Sequence, residues 1–99
     1  MPLLEISIVP VGTDSPSFSS QVTDEVRVIE EKNLKYEVTP TSTVIEGDID
    51  DLWEVAKEMH QKALEVGSKR IVTNINIDHR TDKQMDMDKQ VDKVEKQLG

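Results

Sequence analysis

The sequence predicts an α+β fold: an antiparallel four-stranded sheet with two helices on one face, plus a C-terminal helix. Three observations predict it. Short apolar runs with period two occur near the start, in the middle and around residues 71–78, while two longer stripes with helical period lie between them. Glycine, proline and asparagine fall at the junctions, where turns and caps need them. With 99 residues and no linker or repeat, the chain reads as one domain over 1–99.

In "LLEISIV" Leu4, Ile6 and Ile8 share one face of a strand, and Glu5, Ser7 and Val9 share the other. "PVGTDSPS" supplies a turn and a helix start, with Ser15 as N-cap and Pro16 at the first helical position. Phe18, Val22, Val26 and Ile29 then form a helical stripe that ends near Lys32 and Asn33, where asparagine can take the left-handed conformation. "LKYEVTP" and "STVIE" read as two strands joined at "TPT", because Pro40 cannot donate to a ladder.

Asp48 is placed to cap a second helix, with Asp50, Asp51 and Glu54 near the positive end of its dipole. Its expected core stripe is Ile49, Leu52, Trp53, Ala56, Met59, Ala63 and Leu64, closed by Gly67. In "KRIVTNINID" Ile71, Thr73, Ile75 and Ile77 face one way, Val72, Asn74 and Asn76 the other. Met87, Val91, Val94 and Leu98 mark a last narrow amphipathic helix. The order strand, helix, strand, strand, helix, strand is that of the ferredoxin-like βαββαβ plait. Two helices cover only one sheet face, so the other, with Ser7, Val9, Val72, Asn74 and Asn76, should meet a partner subunit, the C-terminal helix or a ligand.

Composition narrows the function. Aromatics are 3% of the chain, so the core must be aliphatic and thin, which oligomerisation would relieve. A net charge of −8 argues against nucleic-acid binding, which needs basic side chains on phosphates, and favours cationic or neutral ligands. No run reaches the ~18 apolar residues of a membrane span, and the absence of cysteine fits a reducing compartment, so a soluble cytoplasmic protein is expected.

Catalysis finds little support. His60 and His79 belong to no serine–acid pattern, and no phosphate-binding glycine motif or HExxH occurs. "DMDKQVD" lacks the glycine and distal glutamate of a calcium loop and reads as a solvated helix face, so neither a metal nor a cofactor is expected. Binding has more support. Glu46 ends a strand before Gly47, where it is either a solvated strand end or an acceptor for a cationic or amine-bearing molecule, with Tyr36, Thr43, Asn74 and Asn76 as neutral partners.

Taken together, "VPVGTDSPSFSSQV", "YEVTPTSTVIEG", "NINIDHRTDK" and the trailing "DKVEKQL" resemble the small stand-alone thiamine-binding proteins of the YkoF-like family. The resemblance implies a ferredoxin-like subunit that forms homodimers, and dimer-of-dimers tetramers, through its sheets. It also implies non-enzymatic binding of thiamine or its aminopyrimidine moiety, in vitamin salvage, carriage or sensing. By position it carries over Tyr36, Thr43 and Glu46, and more loosely Ser7 and Asn74. Relatives often have glycine or asparagine where this chain has Ser42. The competing expectation is an oligomeric structural or interaction protein with no small ligand.

Overall fold

The alternation expected in the first strand is reproduced residue by residue in the structure, a computed structural model. It describes residues 1–12, 18–66 and 69–82, with the backbone alone for 18–21. β1 (Leu3–Pro10) buries Leu4, Ile6 and Ile8 and exposes Glu5 and Val9. β4 (Ile71–Asp78) runs antiparallel along all of it, from Leu3 opposite Asp78 to Pro10 opposite Ile71. On its other side β1 meets β3 (Thr43–Glu46), which pairs only with Leu3–Ile6. β2 (Lys35–Val38) completes an antiparallel sheet of order β2-β3-β1-β4, as the plait requires.

The helices are α1 (Phe18–Glu31) and α2 (Ile49–Glu65). Ile29 of α1 and Leu52, Val55, Ala56, Met59 and Ala63 of α2 join Leu4, Ile6, Ile8 and Ile45 in one core on a single sheet face. α1 ends as expected at Asn33, whose φ is +56°. The Asn33 N–H donates to the Glu30 carbonyl at 3.0 Å and the Leu34 N–H to the Ile29 carbonyl at 3.5 Å, the two bonds of a Schellman motif. Leu34 is thereby turned onto the core, where it packs over Gly47: a Cβ on that glycine would lie 3.0 Å from Leu34 Cδ2. The close approach that Gly47 permits is thus internal, at the β3–α2 junction.

Lys32 ties the end of α1 to α2 through Glu54 at 3.2 Å and Glu58 at 3.4 Å. His60 shares a 2.7 Å hydrogen bond with Thr73, which links α2 to β4 and leaves the histidine a flank of the core stripe. Asp48 occupies the N-cap position of α2 with extended backbone, but its side chain makes no capping bond. The complementary charge of the first turn therefore comes from Asp50 and Asp51.

Two expectations for the stripes need correction. In α2, Trp53 is 54% and Leu64 42% exposed, while Val55 is buried. The buried row follows 52, 55, 56, 59 and 63, and Trp53 and Leu64 lie about 100–125° round the helix from its centre. In α1, Val22 and Val26 are only half-buried, and the position between them, Glu25, is buried instead. The Ser15–Pro16 start, the Phe18 side chain, the Gly67 terminus and the helix at 87–98 lie outside the described residues.

Leu52→Ala should cost about 2–5 kcal/mol, as for an aliphatic side chain removed from a packed core. Trp53→Ala should cost about 1 kcal/mol or less despite removing a larger group. Urea unfolding of the two variants checks this, and the reverse ranking would put the wrong face of α2 on the sheet.

Candidate functional site

Unequal strand lengths create the site. β1 has 8 residues and β3 has 4, so beyond Ile6 the β3 side of β1 has no ladder partner among the described residues. At that point the chain leaves the sheet through the turn at 39–42. Thr39 holds this turn: its N–H donates to the Ser42 carbonyl at 2.8 Å, and its Oγ1 accepts from the Ser42 N–H at 3.0 Å. The Thr39 hydroxyl also donates to the Ser42 carbonyl at 2.9 Å.

α1 bridges the gap that results and roofs a cavity of about 580 Å³. Its walls are Ile6–Val9 of β1, Val22, Thr23 and Glu25 of α1, and residues 38–43 of the turn. Their surface is mostly apolar, with Thr39, Thr41, Ser42 and Thr43 among the lining, and the Thr39 and Ser42 hydroxyls lie within 3.1 Å of each other inside the turn. In an antiparallel strand alternate residues aim their N–H and C=O groups sideways, so the stretch of β1 beyond Ile6, without a ladder partner on that side among the described residues, directs main-chain groups towards the gap.

Glu25 is the exception in this lining. It is only 8% exposed, and its Oε1 is buried without a hydrogen-bond partner among the described residues. Burial, reinforced by the charge of neighbouring Asp24, raises its pKa from 4.5 to about 7. A buried, unsatisfied polar atom costs about 1–3 kcal/mol, so the carboxyl sits there against the interest of the core.

The five residues expected at the site divide between the two faces of the sheet. Thr43 and Tyr36 are on the helix-covered face; Ser7, Glu46 and Asn74 are on the open one, by the registers Leu3–Glu46, Lys35–Glu46 and Ser7–Asn74. Thr43, 6% exposed, lines the cavity, and Ser7 borders it from the edge of β1 although its side chain belongs to the open face. The Tyr36 hydroxyl donates to Glu30 Oε1 at 2.7 Å, a bond that raises the phenol's pKa and fastens β2 to α1. Glu46 is half-buried on the open face opposite Lys35, and Asn74 is exposed there, so neither shares the cavity within one subunit. Among the described residues, no group of three or more acidic or histidine side chains is gathered to hold a metal, and no helix is long and apolar enough to cross a membrane.

The profile of the thiamine-binding protein family matches residues 4–95. The chain belongs to that family. Among its relatives, the UPF0045 protein YqgV of Bacillus subtilis is 36% identical over 102 residues, covering 99% of this chain and 98% of that one. A Staphylococcus xylosus UPF0045 protein is 39% identical over 103 residues, with 100% and 96% covered. The crystal structure of MJ1052 from Methanocaldococcus jannaschii superposes with a TM-score of 0.83 at 31% identity, covering 94% of each chain.

In this member of the thiamine-binding family, Thr43 and Ser7 of the expected residues border the cavity, and Glu25 and Thr39 border it without being among them. Glu25 did leave a signal. It lies three residues after Val22 and four before Ile29, so it interrupts an apolar stripe with a charge. Thr39 left none, since its role depends on where the hairpin leaves the sheet.

Because the native state holds a proton on Glu25 that the unfolded chain gives up near 4.5, the stability this residue permits is full below about pH 4.5. It falls as pH rises towards about 7. Glu25→Gln, which cannot ionise, should change little near pH 4.5 and stabilise by on the order of 2–3 kcal/mol near pH 8. Denaturant midpoints at both pH values check it; an equal effect at the two would contradict a buried titrating carboxyl.

Proposed function

We propose that this protein binds thiamine, or an aminopyrimidine related to it, in the cavity between α1, β1 and the β2–β3 turn, and performs no reaction on it. Family membership supports the ligand class, since the family is described by binding and not by a reaction. The observation that carries the reading is the cavity itself. Its volume of about 580 Å³ falls within the ~300–1,000 Å³ of small-molecule sites, and a mostly apolar wall with a few polar residues such as Thr41 and Thr43 is the usual recipe for one. Thiamine couples an aminopyrimidine, whose ring nitrogens and amine need hydrogen bonds, to a permanently charged thiazolium; hydroxyls, free main-chain groups and an acidic side chain suit both halves. Salvage, carriage or sensing of the vitamin in the cytoplasm is the role this reading assigns.

The open sheet face supports a homo-oligomer. Val9 and Val72, 49% and 41% exposed, are directly opposite each other there, beside the Ser7–Asn74 and Glu5–Asn76 pairs. A second copy of the chain is the occupant this reading assigns to that face, which puts Glu46 and Asn74 near a subunit boundary.

Thiamine at a hundred times its Kd should stabilise the protein by about 2.7 kcal/mol, read as a concentration-dependent rise in Tm. Thr43→Val, which removes only a hydroxyl from the wall, should reduce the rise, and Glu46→Gln should leave it unchanged. No shift with thiamine or with its aminopyrimidine half would remove the binding reading. Val72→Lys should lower the sedimentation-derived mass, whereas an unaltered oligomer would move the subunit contact elsewhere.

A further inference from the structure

Two hydrogen bonds fix which residues of β1 point at the gap beside it. The Val11 N–H donates to the Arg70 carbonyl at 3.0 Å, on the β4 side, and the Gly47 N–H donates to the Pro2 carbonyl at 3.4 Å, on the β3 side. Successive residues of a strand send their N–H and C=O to opposite sides, so the odd-numbered residues of β1 serve β4 and the even-numbered ones face β3. Leu4 and Ile6 accordingly stand opposite Ile45 and Thr43. Ile8 is next on that side, and its N–H and C=O have no partner there among the described residues. Continuing the register would set it opposite Thr41. That residue belongs to the turn, where its N–H donates to Thr39 Oγ1 at 3.4 Å. Pro10 follows with a carbonyl and no N–H, at a place where proline costs the ladder nothing.

This edge borders the cavity. Ile6, Ser7, Ile8 and Val9 all line it, although their side chains alternate between the two faces of the sheet. Four successive residues reach one space from the lateral edge of a strand, where the main chain is presented. Along the buried row of β1, exposure rises from 0% at Leu4 and 2% at Ile6 to 8% at Ile8, as β3 falls away.

Resting on the binding reading above, we propose that the main chain of Ile8 reads the aminopyrimidine: its N–H donates to a ring nitrogen, and its C=O accepts from the exocyclic amine beside that nitrogen. An extended residue presents donor and acceptor side by side on one edge, and the amidine-like edge of the ring is their complement. The ring then takes the place in the ladder that Thr41 leaves empty. The thiazolium half of thiamine cannot do so, because its quaternary nitrogen has neither an N–H nor a lone pair. An added peptide strand is disfavoured as well. Strand addition draws on a run of residues, whereas Ile8 alone offers both groups here, between Ile6, which is opposite Thr43, and Pro10.

Substitution cannot remove a main-chain group cleanly, so the test is amide hydrogen exchange read by NMR on the full chain, with and without thiamine. In the free protein the Ile8 amide should exchange on the order of tenfold or more faster than those of Ser7 and Val9, which face β4. Saturating thiamine should slow it on the order of tenfold more than it slows theirs. Calorimetric titration compares thiamine, its hydroxymethyl-aminopyrimidine half and oxythiamine, in which an oxo group replaces the amine and the adjacent ring nitrogen carries hydrogen. Donor and acceptor are then exchanged, and oxythiamine should bind on the order of tenfold or more weakly than thiamine. An Ile8 amide as slow as its neighbours in the free protein would show this edge already paired and overturn the proposal. Bound thiamine with the Ile8 amide still fast, or oxythiamine binding as tightly as thiamine, would overturn it while leaving the cavity reading intact. Failure to bind either thiamine or its aminopyrimidine half would overturn the binding reading, and this inference with it.

Discussion

The structure depends on a mismatch between neighbours in one sheet. β1 and β4 pair over eight residues each, but β3 accompanies β1 for only four. Where β3 stops, the main chain of β1 loses a partner and α1 loses the floor it would otherwise pack on. A cavity between helix and sheet follows from that geometry, without any special side chain. The Thr39–Ser42 bonds keep the hairpin turned away, and the Schellman turn at Asn33 with Leu34 packed over Gly47 fixes the level at which β2 and β3 enter the sheet.

Within that frame the two carboxylates that draw attention have different situations. Glu46 ends a strand on the open face, with Lys35 directly across the ladder. Glu25 is buried, with an oxygen that has no hydrogen-bond partner among the described residues. Burial is expensive for a carboxylate and much cheaper for the acid, so the fold holds Glu25 protonated to higher pH than a free carboxyl.

Period-two alternation gave the faces of β1 and β4 correctly, and Asn33 announced its left-handed turn, because both follow from local backbone geometry. The α2 stripe expected from spacing is wider than the row the sheet buries. Trp53 and Leu64 are large and apolar, yet they lie to one side of the row that meets the sheet, and composition cannot tell a flank from a centre. The site was less legible still. Tyr36, Thr43, Ser7, Glu46 and Asn74 cluster by motif and strand, but strand residues one apart point to opposite faces, so they separate once the registers are known. Glu25 belonged to a helix read as packing alone, and only the missing half of β3 makes its position a wall of the cavity.

A crystal structure of the protein grown with thiamine tests the central claim most directly, because it shows which face holds the ligand. The account predicts the ligand between the stretch of β1 beyond Ile6 and the 39–42 turn, in the cavity roofed by α1. Thiamine bound on the open face against Glu46 and Asn74, with the cavity under α1 holding no ligand, would contradict it.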